Sequence, residues 1–194
     1  MRISSRYVGT TLGASRFLFF VLYEDYVQAQ QGFVRELDLY LERFARNLGD
    51  AGAVVKPFLG DIDQARVDVF AKPWTRRELL EIGKTPGLLM ISTDFDSFSP
   101  RDDPWLLLHF GEREYGDSAG HEALGDALTS IAQAVREGEG DIFESARRAA
   151  NEVGPSVGEV FELKPGIFGF SIDLRKASRF LLALVQSART PHEG

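Results

Sequence analysis

The residues best placed to do chemistry are three carboxylates. Asp94-Phe-Asp96 follows a short apolar run, Leu88 to Ile91, and Glu24 follows another, Phe17 to Tyr23. Short apolar runs bounded by turn residues are predicted as buried strands, which puts all three carboxylates at strand ends. Carboxylate oxygens are hard donors that hold Mg2+, and an ion held between strand ends can orient an in-line attack on a phosphoester. The loop over residues 94–103 has a plainer reading as well. Asp, Ser and Pro make turns through their own backbone bonds, and a solvated turn asks less of the sequence than a metal site.

The histidines offer less. His109 lies inside the apolar run Trp105 to Phe110 and reads as a satisfied, partly buried histidine, since no serine or cysteine nucleophile stands in a recognisable motif. His121-Glu122 would need a second histidine one helical turn later to form a zinc motif, and Gly125 stands there. His192 falls in the tail. Arg147-Arg148 and the group Arg175, Lys176 and Arg179 read as solvated helix faces. Gly9-x-x-x-Gly13 precedes a strand instead of following one, so it is no phosphate-binding loop.

These side chains have to be positioned by a chain of 194 residues, enough for one domain with a sizeable core. An apolar content of 44% with 26% charged residues is that of a globular protein. A net charge of −7 opposes non-specific binding to nucleic acid or to an anionic membrane. The absence of cysteine removes disulfides, thiolate catalysis, iron–sulfur clusters and cysteine zinc sites. The apolar run after the basic N-terminal residues ends at Glu24-Asp25, short for a signal peptide, and no segment nears the roughly 18 apolar residues of a membrane span. The expectation is a soluble, cytoplasmic protein.

Hydrophobic periodicity orders the elements. Phe17–Tyr23 is predicted as a strand buried on both faces, then Asp25–Leu48 as a helix with Phe33, Leu37, Leu41, Phe44 and Leu48 on one side. Ala53–Leu59 is a strand. Asp61–Lys72 fits neither period. Thr75-Arg-Arg-Glu78 is a capping box that opens a helix to Ile82, and two strands follow, Leu88–Ile91 and Trp105–Phe110. Ala119–Glu137 is a second long helix. Asp141 opens a short one to Asn151, Val160–Leu163 and Ile167–Ile172 form a hairpin, and Asp173 caps a last helix. Residues 1–15 read as a surface lead-in. Alternating strands and helices imply an α/β sheet covered on both faces.

That order, with Thr85-Pro86 just ahead of the third strand, resembles the thioredoxin fold over residues 16–138. In that family a cis proline precedes the strand that runs antiparallel to the first, and a tight hairpin leads to the next strand. The resemblance implies a mixed sheet flanked by helices, a core over 1–140, and a C-terminal helix–hairpin–helix extension over 141–194. It also implies a binding cleft at Tyr23, Glu24, Asp25, Tyr26, Thr85 and Pro86. The family's redox motif is replaced here by Tyr23-Glu-Asp-Tyr-Val27, so disulfide chemistry is excluded.

Two functions follow. The first is a redox-inactive, non-catalytic interaction domain that binds a protein partner or a second copy of itself, without cofactor. The apolar hairpin Phe161 to Phe170 is a further candidate surface for it. The second starts from Glu24, Asp94 and Asp96, which together resemble the acidic triad of Toprim-type domains and imply a Mg2+-dependent phosphoesterase or nuclease. Geometry separates the two, because a reversed third strand puts Glu24 and Asp94 at opposite ends of the sheet.

Overall fold

The computed structural model describes residues 3–4, 15–23, 28–57, 62–84, 86–92, 94–110, 118–137, 141–154, 158–164, 167–173 and 177–189. It is a mixed α/β fold. Among the described residues seven strands form one sheet: β1 (Ile3–Ser4), β2 (Phe17–Leu22), β3 (Gly52–Val55), β4 (Gly87–Ile91), β5 (Trp105–His109), β6 (Gly158–Lys164) and β7 (Ile167–Asp173). Their spatial order is β1-β3-β2-β4-β5-β7-β6. The β1, β2 and β3 strands are mutually parallel where they pair, β4 is antiparallel to both β2 and β5, β7 is parallel to β5, and β6 is antiparallel to β7.

The central strands are buried from end to end, and their alternating residues divide into two cores. One face of the sheet carries Phe17, Phe19, Val21, Val54, Leu88, Met90, Leu106 and Leu108. It is covered by α1 (Gln28–Leu48), α4 (Ser118–Glu137), α5 (Ile142–Val153) and α6 (Ala177–Arg189), which supply Leu41, Phe44, Leu128, Ile131, Phe143, Phe180 and Leu184. The other face carries Leu18, Phe20, Val55, Leu89, Ile91, Trp105 and Leu107, covered by α2 (Ile62–Phe70), α3 (Arg76–Ile82) and the loop after β4. Burial on both faces is why these strands read as continuous apolar runs instead of alternating ones. Edge-to-face ring pairs lock each layer: Phe19 on Phe44 at 4.9 Å between centroids, and Trp74 on Trp105 at 5.3 Å.

Local chemistry sets the element ends. The Thr75 hydroxyl accepts from Glu78 N–H while the Glu78 carboxylate accepts from Thr75 N–H, so the predicted capping box is formed. Asp141 accepts from Phe143 N–H and starts α5. A short 3-10 turn, Gly49–Ala51, follows α1, and Gly49 takes the left-handed φ of 57° that this exit requires.

Several expectations need correction. The presumed lead-in holds β1, two residues too short to show any period, which exist as a strand only through pairing with β3. The ambiguous stretch after Asp61 is helix α2. It buries Ala65 and Val69 yet leaves Val67 exposed, so no clean stripe was there to read. The third strand in the chain, β3, stops at Val55, and Pro57, which has no N–H for a ladder, lies just beyond it. Asp173 ends β7 instead of capping α6, which begins at Ala177. Residues 141–194 supply two strands to the same sheet and two helices to the same core as the rest of the chain.

Candidate functional site

Register brings the ends of several strands to one rim of the sheet. Leu22 at the end of β2 pairs with Gly87 at the start of β4, Gly87 pairs with His109 at the end of β5, and His109 pairs with Asp173 at the end of β7. Tyr23 and Pro57, each just past its strand, meet at the same rim, where the Tyr23 hydroxyl donates to the Pro57 carbonyl at 3.2 Å. Tyr23 is only 2% exposed. The Lys56 ammonium lies 5.9 Å from the Tyr23 ring centroid and is paired with the Asp38 carboxylate of α1.

The connection from α3 to β4 closes the rim on its other side. Pro86 is buried, and its carbonyl accepts from Phe110 N–H at 3.0 Å. Gly87 is held so close to β5 that a Cβ there would meet the Leu108 carbonyl oxygen at 2.9 Å. His109 and Glu81, each 8% exposed, face one another with Nε2 and Oε2 3.5 Å apart. The Lys84 ammonium sits on the other Glu81 oxygen, and the Lys84 carbonyl lies 2.8 Å from His109 Nδ1. His109 is therefore a satisfied, buried histidine, as its apolar setting implied.

Of the predicted cleft residues, Tyr23 and Pro86 both stand at this rim. Glu24, Asp25, Tyr26 and Thr85 lie outside the described residues. Asp38, Lys56, Glu81 and His109 were not foreseen as a group. The contact between His109 and Lys84 spans 25 residues, and nothing in local spacing announces it.

The acidic loop lies beyond the opposite end of β4. Ile91, where β4 ends, pairs with Leu18, four residue steps from the Leu22–Gly87 pair, or about 13 Å along the strand. The chain thus leaves β2 toward Glu24 at one end of the sheet and leaves β4 toward Asp94 at the other. Asp94 and Asp96 are exposed, whereas Phe95 and Phe98 between and beyond them are buried in the second core. Lys72 anchors this loop, donating to the Phe95 carbonyl at 2.6 Å and the Asp96 carbonyl at 3.1 Å, with its ammonium over the Phe95 ring. Asp102 and Asp103 accept from the Ser99 hydroxyl and N–H. These are turn-making contacts, and the loop acts as a lid on the core. Among the described residues no group of three or more His, Asp or Glu could hold a metal ion.

Other candidates sit apart. Arg147 is bonded to Glu144, which holds its guanidinium more firmly protonated, and Arg148 reaches the Ser187 carbonyl at 3.4 Å. Both arginines of the predicted basic pair thus have partners within the chain. Arg175, Lys176 and the side chains of Phe161, Phe168 and Phe170 lie outside what is described. A groove of about 310 Å³ between α1 and α4 runs beside Tyr40, Arg43, Asn47 and Asp126. Gly125 lines it as well, and a Cβ there would meet the Tyr40 ring at 3.0 Å. No helix of the described residues is long and apolar enough to cross a membrane. Comparison with family models, with curated proteins and with solved structures found no match to this chain.

Proposed function

We propose that this chain is a redox-inactive binding module built on a thioredoxin-like unit, and that it recognises a protein partner or a second copy of itself at the rim around Tyr23 and Pro86. The unit would span β3-β2-β4-β5 with α1 and α4. Supporting it is the direction of these strands, β2 and β3 parallel and β4 reversed against its neighbours on either side. The observation that carries the binding role is the state of the rim's polar groups. Tyr23 is bonded to Pro57, Lys56 to Asp38, and Glu81 and His109 to the Lys84 connection. Such groups make a shaped, pre-organised wall, which suits recognition of a fixed surface better than proton transfer to a substrate.

Sedimentation of the purified chain over a concentration series, combined with amide hydrogen exchange, tests this reading. Self-association that slows exchange at Tyr23, Lys84 and Phe110 is the expected result for a second copy. An exchange footprint confined to a different face would contradict the rim. Mg2+-dependent hydrolysis of a phosphoester that disappears in Asp94→Asn would replace the binding module with the phosphoesterase.

A further inference from the structure

We infer that the groove between α1 and α4 is a site for a free aromatic amino acid, held at once by its carboxylate and its ammonium. The inference does not rest on the rim reading, because other residues build the groove. Its floor is apolar. Phe44 of α1 and Leu128 of α4 are buried there, and the half-buried Tyr40 ring stands beside them. A volume of about 310 Å³ is at the small end of ligand pockets, which suits a molecule of amino-acid size.

The two walls carry opposite chemistry. On the α1 side Arg43 and Asn47 stand one helical turn apart and share a face of the helix. A guanidinium and an amide N–H2 are donors suited to a carboxylate. On the α4 side stand Asp126 and Thr129. The Asp126 carboxylate accepts. The Thr129 hydroxyl gives its hydrogen to the Gly125 carbonyl at 2.8 Å, which leaves its oxygen as a second acceptor for an ammonium.

The same helices pair other charges within the chain, Asp38 of α1 with Lys56 and Glu137 of α4 with Arg189. Arg43 and Asp126 line one groove with opposite charges, yet they form no ion pair with each other or with any other described residue. A zwitterion lying along the groove gives both a partner. A simple anion would meet Arg43 and also the like charge of Asp126, and a simple cation would meet the reverse.

Gly125 fixes the shape of the floor. Glycine inside a helix is unfavourable beside alanine, and here a Cβ would meet the Tyr40 ring at 3.0 Å. The missing side chain lets that ring lie close against α4. An aromatic side chain laid over the floor gains ring contact with Tyr40 in addition to apolar burial.

The test is an amide NMR titration of the whole chain with L-phenylalanine, with phenylacetate, which lacks the ammonium, and with phenethylamine, which lacks the carboxylate. L-Phenylalanine is expected to shift the amides of Asn47, Gly125 and Thr129 together to saturation, with Tyr23 and Phe110 at the rim unchanged. Each one-charge probe should bind roughly tenfold more weakly, the low end for a hydrogen bond to a charged group. Arg43→Gln should bind L-phenylalanine no better than phenethylamine, and Asp126→Asn no better than phenylacetate. Both residues are exposed, so these changes leave the fold intact. No saturating shift at these amides up to the solubility of L-phenylalanine, or equal binding of all three probes, would overturn the site. Shifts confined to Tyr23 and Phe110 would overturn it too, and leave the rim reading standing.

Discussion

Trp105 of β5 lies against Gly169 of β7 so closely that a Cβ on Gly169 would fall 2.1 Å from indole Cε2. The contact joins the C-terminal hairpin to the centre of the sheet, because Trp105 also stacks edge-on with Trp74 in the second core. A fully buried indole ring cannot yield as the end of a flexible side chain can. Gly169→Ala should therefore destabilise the chain by about 1–3 kcal/mol, the usual range for overpacking. Urea denaturation followed by tryptophan fluorescence would read the loss. A neutral Gly169→Ala would show that β7 is not seated on Trp105.

How much of this was legible beforehand depends on the range of the interaction. Thr75 and Glu78 are three residues apart, and their capping box could be read from spacing because both partners lie in one turn. The stripe Leu37, Leu41, Phe44 and Leu48 was equally readable, since one helix face carries it. Ile3–Ser4 was not, because a two-residue strand has no period and owes its existence to β3. Tyr23 and Pro86 were marked through the fold resemblance, but the ion pairs around them were invisible for the same reason. Asp38 meets Lys56 and His109 meets Glu81 only after distant elements have docked. Asp94 and Asp96 drew attention through residue type alone, while the buried Phe95 and Phe98 beside them do the structural work of the loop.

The capping box gives a second prediction. Thr75→Ala removes an acceptor for Glu78 N–H and should cost about 1 kcal/mol, whereas Thr75→Ser should keep most of it. Equilibrium denaturation of the two variants side by side would check the difference.

Lys72 provides a third. Replacement by Met removes a donor to two loop carbonyls and a cation over the Phe95 ring, and should cost about 1–3 kcal/mol. Amide exchange at Phe98, whose N–H donates to the Asp94 and Phe95 carbonyls, should quicken in that variant. Asp96→Asn changes only an exposed side chain and should stay within about 0.5 kcal/mol of the parent.

A fourth prediction concerns acid. Arg189 on α6 hydrogen-bonds the Glu137 carboxylate at the end of α4, and with help from Gln133 it holds that carboxyl below its ordinary range. A carboxyl lowered in the folded state stabilises that state above its unfolded value, and the contribution is lost as pH falls through the folded value. Arg189→Ala should return Glu137 toward an ordinary carboxylate, and added salt should weaken the wild-type effect because the pair is open to solvent. A carbon-detected NMR titration of the Glu137 carboxyl would follow both changes.

The proposed function places recognition at the rim, with no metal ion shared between that end of the sheet and the Asp94–Asp96 loop. A Mn2+ titration followed by amide NMR tests it most directly, since the bound ion broadens the signals around it. No joint broadening of Leu22 and Tyr23 with the 94–96 segment is expected, so any effect at the acidic loop should leave the rim untouched. Joint broadening of both ends that disappears in Asp94→Asn would overturn the rim reading and restore the phosphoesterase.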